Sequence, residues 1–177
     1  LHHRYRCPDP TPEFNFRKIC APLVQKIKKE KYQNIITFGI GGSYEGPKLL
    51  QEFLLNPTSD INYSFVSGPD KHEFNAIVKP LLGQKNLYIF ASKSLTTDET
   101  LSCLKWLGKN RTKKNSIVIT ANSEGARALG FSEASIIPFP ESVGGRYSIW
   151  SPISLTAGIE NNFMSFLQGG GIADSLL

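Results

Sequence analysis

The sequence predicts an α/β fold in which five parallel strands alternate with helices packed on both faces of the sheet. Two observations predict it. Five short runs are apolar on both of their faces, as buried parallel strands are, and amphipathic stripes at helical spacing lie between them. Strand–helix alternation through five strands requires crossover connections, which are right-handed in nearly every known case.

The elements follow in chain order. Ile19, Leu23 and Ile27 recur at spacing four and predict a first helix. Residues 34–40 (NIITFGI) read as the first strand. Pro47 is tolerated in a helical first turn, and Leu49, Leu50 and Phe53 continue that helix. Residues 61–67 (INYSFVS) form the second strand. Asp70, Lys71, His72 and Glu73 make a polar helix start, with His72 expected at the surface, before a stripe of Phe74, Ile77, Val78 and Leu81. Residues 86–91 (NLYIFA) form the third strand. Leu101, Leu104 and Leu107 predict the next helix, closed by Gly108. Residues 116–121 (SIVITA) and 135–139 (SIIPF) complete the sheet. After Trp150 the chain turns helical and Gly-rich, as a linking segment would.

Composition narrows the function classes. At 177 residues, 40% hydrophobic and 20% charged, the chain is of one-domain length and ordinary globular composition. No apolar run approaches the ~20 residues of a membrane span, so no membrane partner is expected. The formal charge is +5. The basic stretches 26–31 and 105–114 carry no interleaved aromatic pattern and read as solvated surface, so no nucleic-acid partner is expected. Cys7, Cys20 and Cys103 are isolated, and His2 and His3 are adjacent near the chain start. That pattern offers no zinc spacing and fits reduced thiols in the cytoplasm. The chain has no initiator Met and reads as part of a longer polypeptide.

Three loops that follow strands carry the chemistry, because open parallel sheets bind ligands at the carboxyl ends of their strands. The first is Gly39-Ile40-Gly41-Gly42-Ser43-Tyr44-Glu45-Gly46-Pro47. Its glycines let backbone amides approach an anion at a helix start. It is no dinucleotide fingerprint, since Tyr44 stands where glycine is needed. It is no Walker loop, since Pro47 replaces the lysine, and no nucleophile elbow, since Glu45 replaces a glycine. The second loop, Ser92-Lys93-Ser94-Leu95-Thr96-Thr97-Asp98-Glu99-Thr100, brings hydroxyls and a cation to another helix start. Thr96 and Glu99 fit a capping box; Ser92, Ser94 and Thr97 remain as donors for an anion with several oxygens, such as a phosphate. In a 2-1-3-4-5 sheet these two loops flank one crevice. The third loop, Glu141-Ser142-Val143-Gly144-Gly145-Arg146-Tyr147-Ser148-Ile149-Trp150-Ser151, brings a guanidinium close to a ligand, where it suits a developing oxyanion.

GIGGSYEGP, SKSLTTDET and VGGRYSIWSPIS resemble, in order and spacing, three blocks of the N-terminal sugar-isomerase (SIS) domain of the glucose-6-phosphate isomerase family. Tyr44-Glu45 departs from the Asp-Leu usual in the first block, and Ser94 replaces a threonine in the second while keeping the hydroxyl. The resemblance implies a three-layer α/β/α sandwich with a five-stranded parallel sheet of flavodoxin-like order. It implies aldose–ketose isomerisation of glucose 6-phosphate and fructose 6-phosphate, without a cofactor or metal. Gly42, Ser43, Ser92, Lys93, Ser94 and Thr97 would contact the sugar phosphate, and Arg146 would sit beside the reacting carbons. The implied organisation is a lead-in over 1–33, the SIS domain over 34–155 and a helical segment over 156–177 leading toward a second SIS domain. That second domain would hold the general base and the ring-opening acid. The family also implies a homodimer in the cytoplasm. The other reading is a non-catalytic phosphosugar-binding regulatory module, since the same fold serves regulators.

Overall fold

A computed structural model of the chain describes residues 16–54, 57–159 and 163–176. His2, His3 and Cys7 lie outside the described residues. The elements in order are α1 (Phe16–Glu30), β1 (Asn34–Phe38), α2 (Glu45–Leu54), β2 (Asn62–Val66), α3 (Lys71–Val78), β3 (Asn86–Ala91), α4 (Asp98–Leu107), β4 (Ser116–Thr120), α5 (Ser123–Ala128), β5 (Ile136–Pro138), α6 (Leu155–Gly158) and α7 (Phe163–Ser175). Single 3₁₀ turns cover Gly41–Ser43 and Pro152–Ser154, and a longer 3₁₀ helix covers Gly145–Trp150. The strands are all parallel, in the order β2-β1-β3-β4-β5.

Alternation along the strands builds two cores. Ile35, Ile89, Ile117, Ile119 and Ile137 face Cys20 and Ile27 of α1, Leu50 and Leu54 of α2, Leu155 of α6 and Phe163 of α7. Ile36, Phe38, Tyr88, Phe90 and Val118 face Phe74 of α3, Cys103 and Leu107 of α4 and Ala126 of α5. The molecule is therefore a three-layer α/β/α sandwich. Phe38 and Phe90 occupy partner positions on β1 and β3, their rings stacked with centroids 4.9 Å apart.

An amide ladder pins the amino ends of the three neighbouring strands. Buried Asn34 donates to Asn86 Oδ1 at 2.8 Å and to Gln84 Oε1 at 2.9 Å, and its own Oδ1 accepts from Asn62 at 3.3 Å. A one-residue slip would leave these amides unpaired in the core, so the ladder specifies register as well as closing the end of the sheet.

The structure trims and corrects several sequence expectations. β1 stops at Phe38, because Gly39 and Ile40 already enter a turn in which Ser43 N–H donates to Ile40 O. β4 ends at Thr120, where Ala121 N–H turns to the carbonyl of Lys93. Leu49 and Phe53 are 64% and 81% exposed; α2 buries Pro47, Leu50 and Leu54 instead. α5 has no apolar stripe and went unforeseen. Asp70 caps α3 by accepting from His72 N–H, and His72 lies at the surface as expected. Ile153, Leu155, Ile159, Phe163 and Leu167 belong to the first core, so the segment after Trp150 packs onto the sheet layer. Among the described residues no helix is long and apolar enough to cross a membrane.

Candidate functional site

β1 and β3 are neighbours in space, and their crossovers leave toward opposite faces of the sheet: α2 packs in the first core, α4 in the second. The loops that follow these two strands therefore diverge and leave a crevice at the switch point. A pocket of about 590 Å³ opens there. Ser43 from the first loop and Ser92, Lys93, Ser94 and Thr97 from the second all line it. The structure thus gathers five of the seven residues singled out from sequence.

The first loop is tied to the third at close range. The Ser148 hydroxyl reaches both the Gly42 and the Gly145 carbonyls. A Cβ built on Gly42 would lie 2.1 Å from the Gly145 carbonyl oxygen, so only glycine allows the two backbones to touch. Gly42 is absent from the pocket lining; its observed contact is this backbone seat. Arg146 belongs to the 3₁₀ helix Gly145–Trp150, but its side chain lies outside the described residues.

The second loop is held by its own hydroxyls. Ser92 Oγ accepts from Leu95 N–H at 3.1 Å and lies 3.2 Å from Thr97 Oγ1. Ser94 Oγ accepts from both the N–H and the hydroxyl of Thr96. These bonds correct the expected capping box. α4 starts at Asp98, Thr97 occupies the N-cap position without a side-chain cap bond, and Thr96 is turned toward Ser94. Leu95, with φ +54°, sits in the left-handed region that leucine rarely adopts, and its side chain is buried at 4% exposure. Lys93 extends toward the third loop, its Nζ 3.5 Å from the Val143 carbonyl.

Sequence reasoning did not single out two polar lining residues, Asn122 and Glu141. Asn122 stands just past β4, where an Asn followed by Ser123 and Glu124 is a helix-start signal that was open to reading. Glu141 contributes an exposed carboxylate at the rim. Among the described residues no three His, Cys, Asp or Glu side chains gather as a metal site would need. What remains is a hydroxyl- and cation-lined crevice suited to a small, multiply charged oxyanion.

Residues 23–176 match the family profile described as Phosphoglucose isomerase. The chain belongs to the phosphoglucose isomerase family. Among phosphoglucose isomerase relatives, it is similar to the glucose-6-phosphate isomerase of Zymomonas mobilis, 34% identical over 152 residues that cover 80% of this chain and 30% of that one. It is likewise similar to glucose-6-phosphate isomerase 1 of Colwellia psychrerythraea, 32% identical over 77% of this chain and 27% of that one. The chain thus spans about 30% of the length of the curated relatives it matches. A crystal structure of a glucose-6-phosphate isomerase from Chlamydia trachomatis shares the fold at a TM-score of 0.81 and 21% identity, over 99% of this chain and 38% of that one.

Proposed function

We propose that this chain forms the phosphate-holding half of an active site that interconverts glucose 6-phosphate and fructose 6-phosphate through an enediolate. The observation that carries the reading is the switch-point pocket. In it Ser43, Ser92, Ser94, Thr97 and Lys93 converge from two loops of a phosphoglucose isomerase family chain.

A phosphate at the far end of the substrate does not react, so holding it supplies binding energy that orients the carbons at the other end. The hydroxyls donate to the phosphate oxygens and Lys93 offsets their charge. Arg146, on the third loop, stabilises the negative charge that appears on the enediolate oxygens. A carboxylate then moves the proton between C2 and C1. In this reading that base and the ring-opening acid come from outside these 177 residues, in a second SIS domain. The working protein is a cytoplasmic homodimer. The net reaction shifts a proton between neighbouring carbons, so it calls for no redox cofactor.

The test uses the full-length protein that carries this sequence. A coupled assay should detect conversion of fructose 6-phosphate. Ser94→Ala should weaken sugar-phosphate binding about tenfold, as loss of a hydrogen bond to a charged group does, with little effect on binding of the unphosphorylated sugar. Tight sugar-phosphate binding without turnover would instead establish a regulatory module.

A further inference from the structure

We propose that Asn122 is a positioning residue for the phosphate loop: it fixes the Ser94 carbonyl and thereby the backbone that presents Ser94 and Thr97 to the ligand. The inference rests on the phosphosugar reading above.

The loop has a conformation that its own sequence does not favour. Leu95 is left-handed and buried, and such a residue persists only where its surroundings over-determine it. From within the loop, Ser92 Oγ accepts from Leu95 N–H. From outside, Asn122 Nδ2 donates to the Ser94 carbonyl at 3.0 Å. The carbonyl before it is also taken, because Lys93 O accepts from Ala121 N–H at 2.9 Å and from the Thr120 hydroxyl at 3.0 Å. Thr120 Oγ1 in turn accepts from Asn122 N–H at 3.0 Å. Residues 120–122 therefore grip two consecutive carbonyls of the phosphate loop.

The asparagine does two jobs with one amide. Its Oδ1 accepts from Gly125 N–H at 2.8 Å and caps α5. Its Nδ2 holds Ser94 O. The opposite amide orientation would face donor with donor and acceptor with acceptor, so these contacts fix the assignment. A cap needs only the acceptor, which Ser or Asp supplies equally well. The donor is what the phosphate loop requires, and Asn122 also lines the pocket itself. Gly125 leaves room for this amide, since a Cβ there would lie 2.6 Å from Nδ2.

The experiment compares wild type, Asn122→Ser and Gly125→Ala in the full-length protein. The readouts are affinity for glucose 6-phosphate by calorimetry, affinity for inorganic phosphate as the minimal probe, steady-state KM and kcat, and the thermal midpoint. Asn122→Ser keeps the cap and loses the clamp. It should weaken both ligands by about three- to tenfold, the scale of one net hydrogen bond. KM should rise in proportion, while kcat and the thermal midpoint stay near wild type. Gly125→Ala, ordinarily favourable in a helix, should reproduce the loss by displacing the amide. Unchanged affinity in Asn122→Ser overturns the proposal. So does an affinity loss that merely tracks a fall in the thermal midpoint, because the residue would then serve the fold alone. A wild type that binds neither ligand defeats the phosphosugar reading and this role with it. Binding with no turnover defeats only the isomerase reading.

Discussion

The hydroxyl of Ser148 lies 3.1 Å from the carbonyl oxygen of Gly42 and 2.7 Å from that of Gly145, so one small side chain stitches the first ligand loop to the third. The stitch holds only while the two glycine backbones touch. Gly42→Ala would drive a methyl group into the Gly145 carbonyl, a backbone atom that cannot swing away. We expect a stability loss of about 1–3 kcal/mol, the usual cost of overpacking, and weaker sugar-phosphate binding as Ser43 shifts. Chemical denaturation together with calorimetry would check both; a variant as stable and as tight-binding as wild type would contradict the contact.

Ser92 is buried and serves Leu95 and Thr97 at once. Ser92→Ala leaves the Leu95 N–H without its acceptor in the core. The expected destabilisation is about 1–3 kcal/mol, the range for an orphaned buried donor. Hydrogen exchange at Leu95 should accelerate in the variant, and wild-type protection there would argue against the assignment.

Arg146 is expected to act on charge present only in the transition state. Its replacement by Lys keeps the charge but loses the planar fork. Removing the donor in Arg146→Ala should lower kcat by on the order of 10²–10³, the typical cost of one oxyanion donor, and Arg146→Lys should still be impaired, with KM changing far less in both. Steady-state kinetics on the full-length protein measure this, and a rise in KM alone would reassign Arg146 to ground-state binding.

Burial pushes the Cys103 thiol from its ordinary 9.0 up to about 12, with Glu73 adding to the shift. The folded protein therefore holds this proton where the unfolded chain has lost it. Its contribution to stability is full below about pH 9 and is lost as pH rises toward 12. A Cys103→Ala variant should show a flatter decline of stability over that window. In the native protein, alkylation of Cys103 at pH 8 should be slow and become fast only in denaturant.

Much of the fold was legible because β1, β3 and β4 are buried on both faces and leave unbroken apolar runs. Strand ends were less legible, since Ile40 is apolar yet belongs to a turn and is partly exposed. α2 offered two equivalent pairs at spacing four, Leu49 with Phe53 and Leu50 with Leu54, and only packing selects the second. α5 buries little beyond Ala126, so no periodicity announced it. Ser92, Ser94 and Thr97 could be found because hydroxyls at a helix start are dense along the sequence. The bond from Asn122 to Ser94 and the seating of Gly42 on Gly145 could not be found this way, because each depends on partners far along the chain.

The stacked rings of Phe38 and Phe90 stand directly before the two loops that line the crevice, one residue ahead of Gly39 and two ahead of Ser92. Adjacent strands lie about 4.8 Å apart, and the ring pair fills the sheet face between them at 4.9 Å. The backbone ladder fixes the spacing of the two strands, and the ring pair packs the sheet face immediately beneath the crevice. A change of side-chain volume at Phe38 or Phe90 would therefore reach the lining of the crevice through the strand backbones, without altering a single donor.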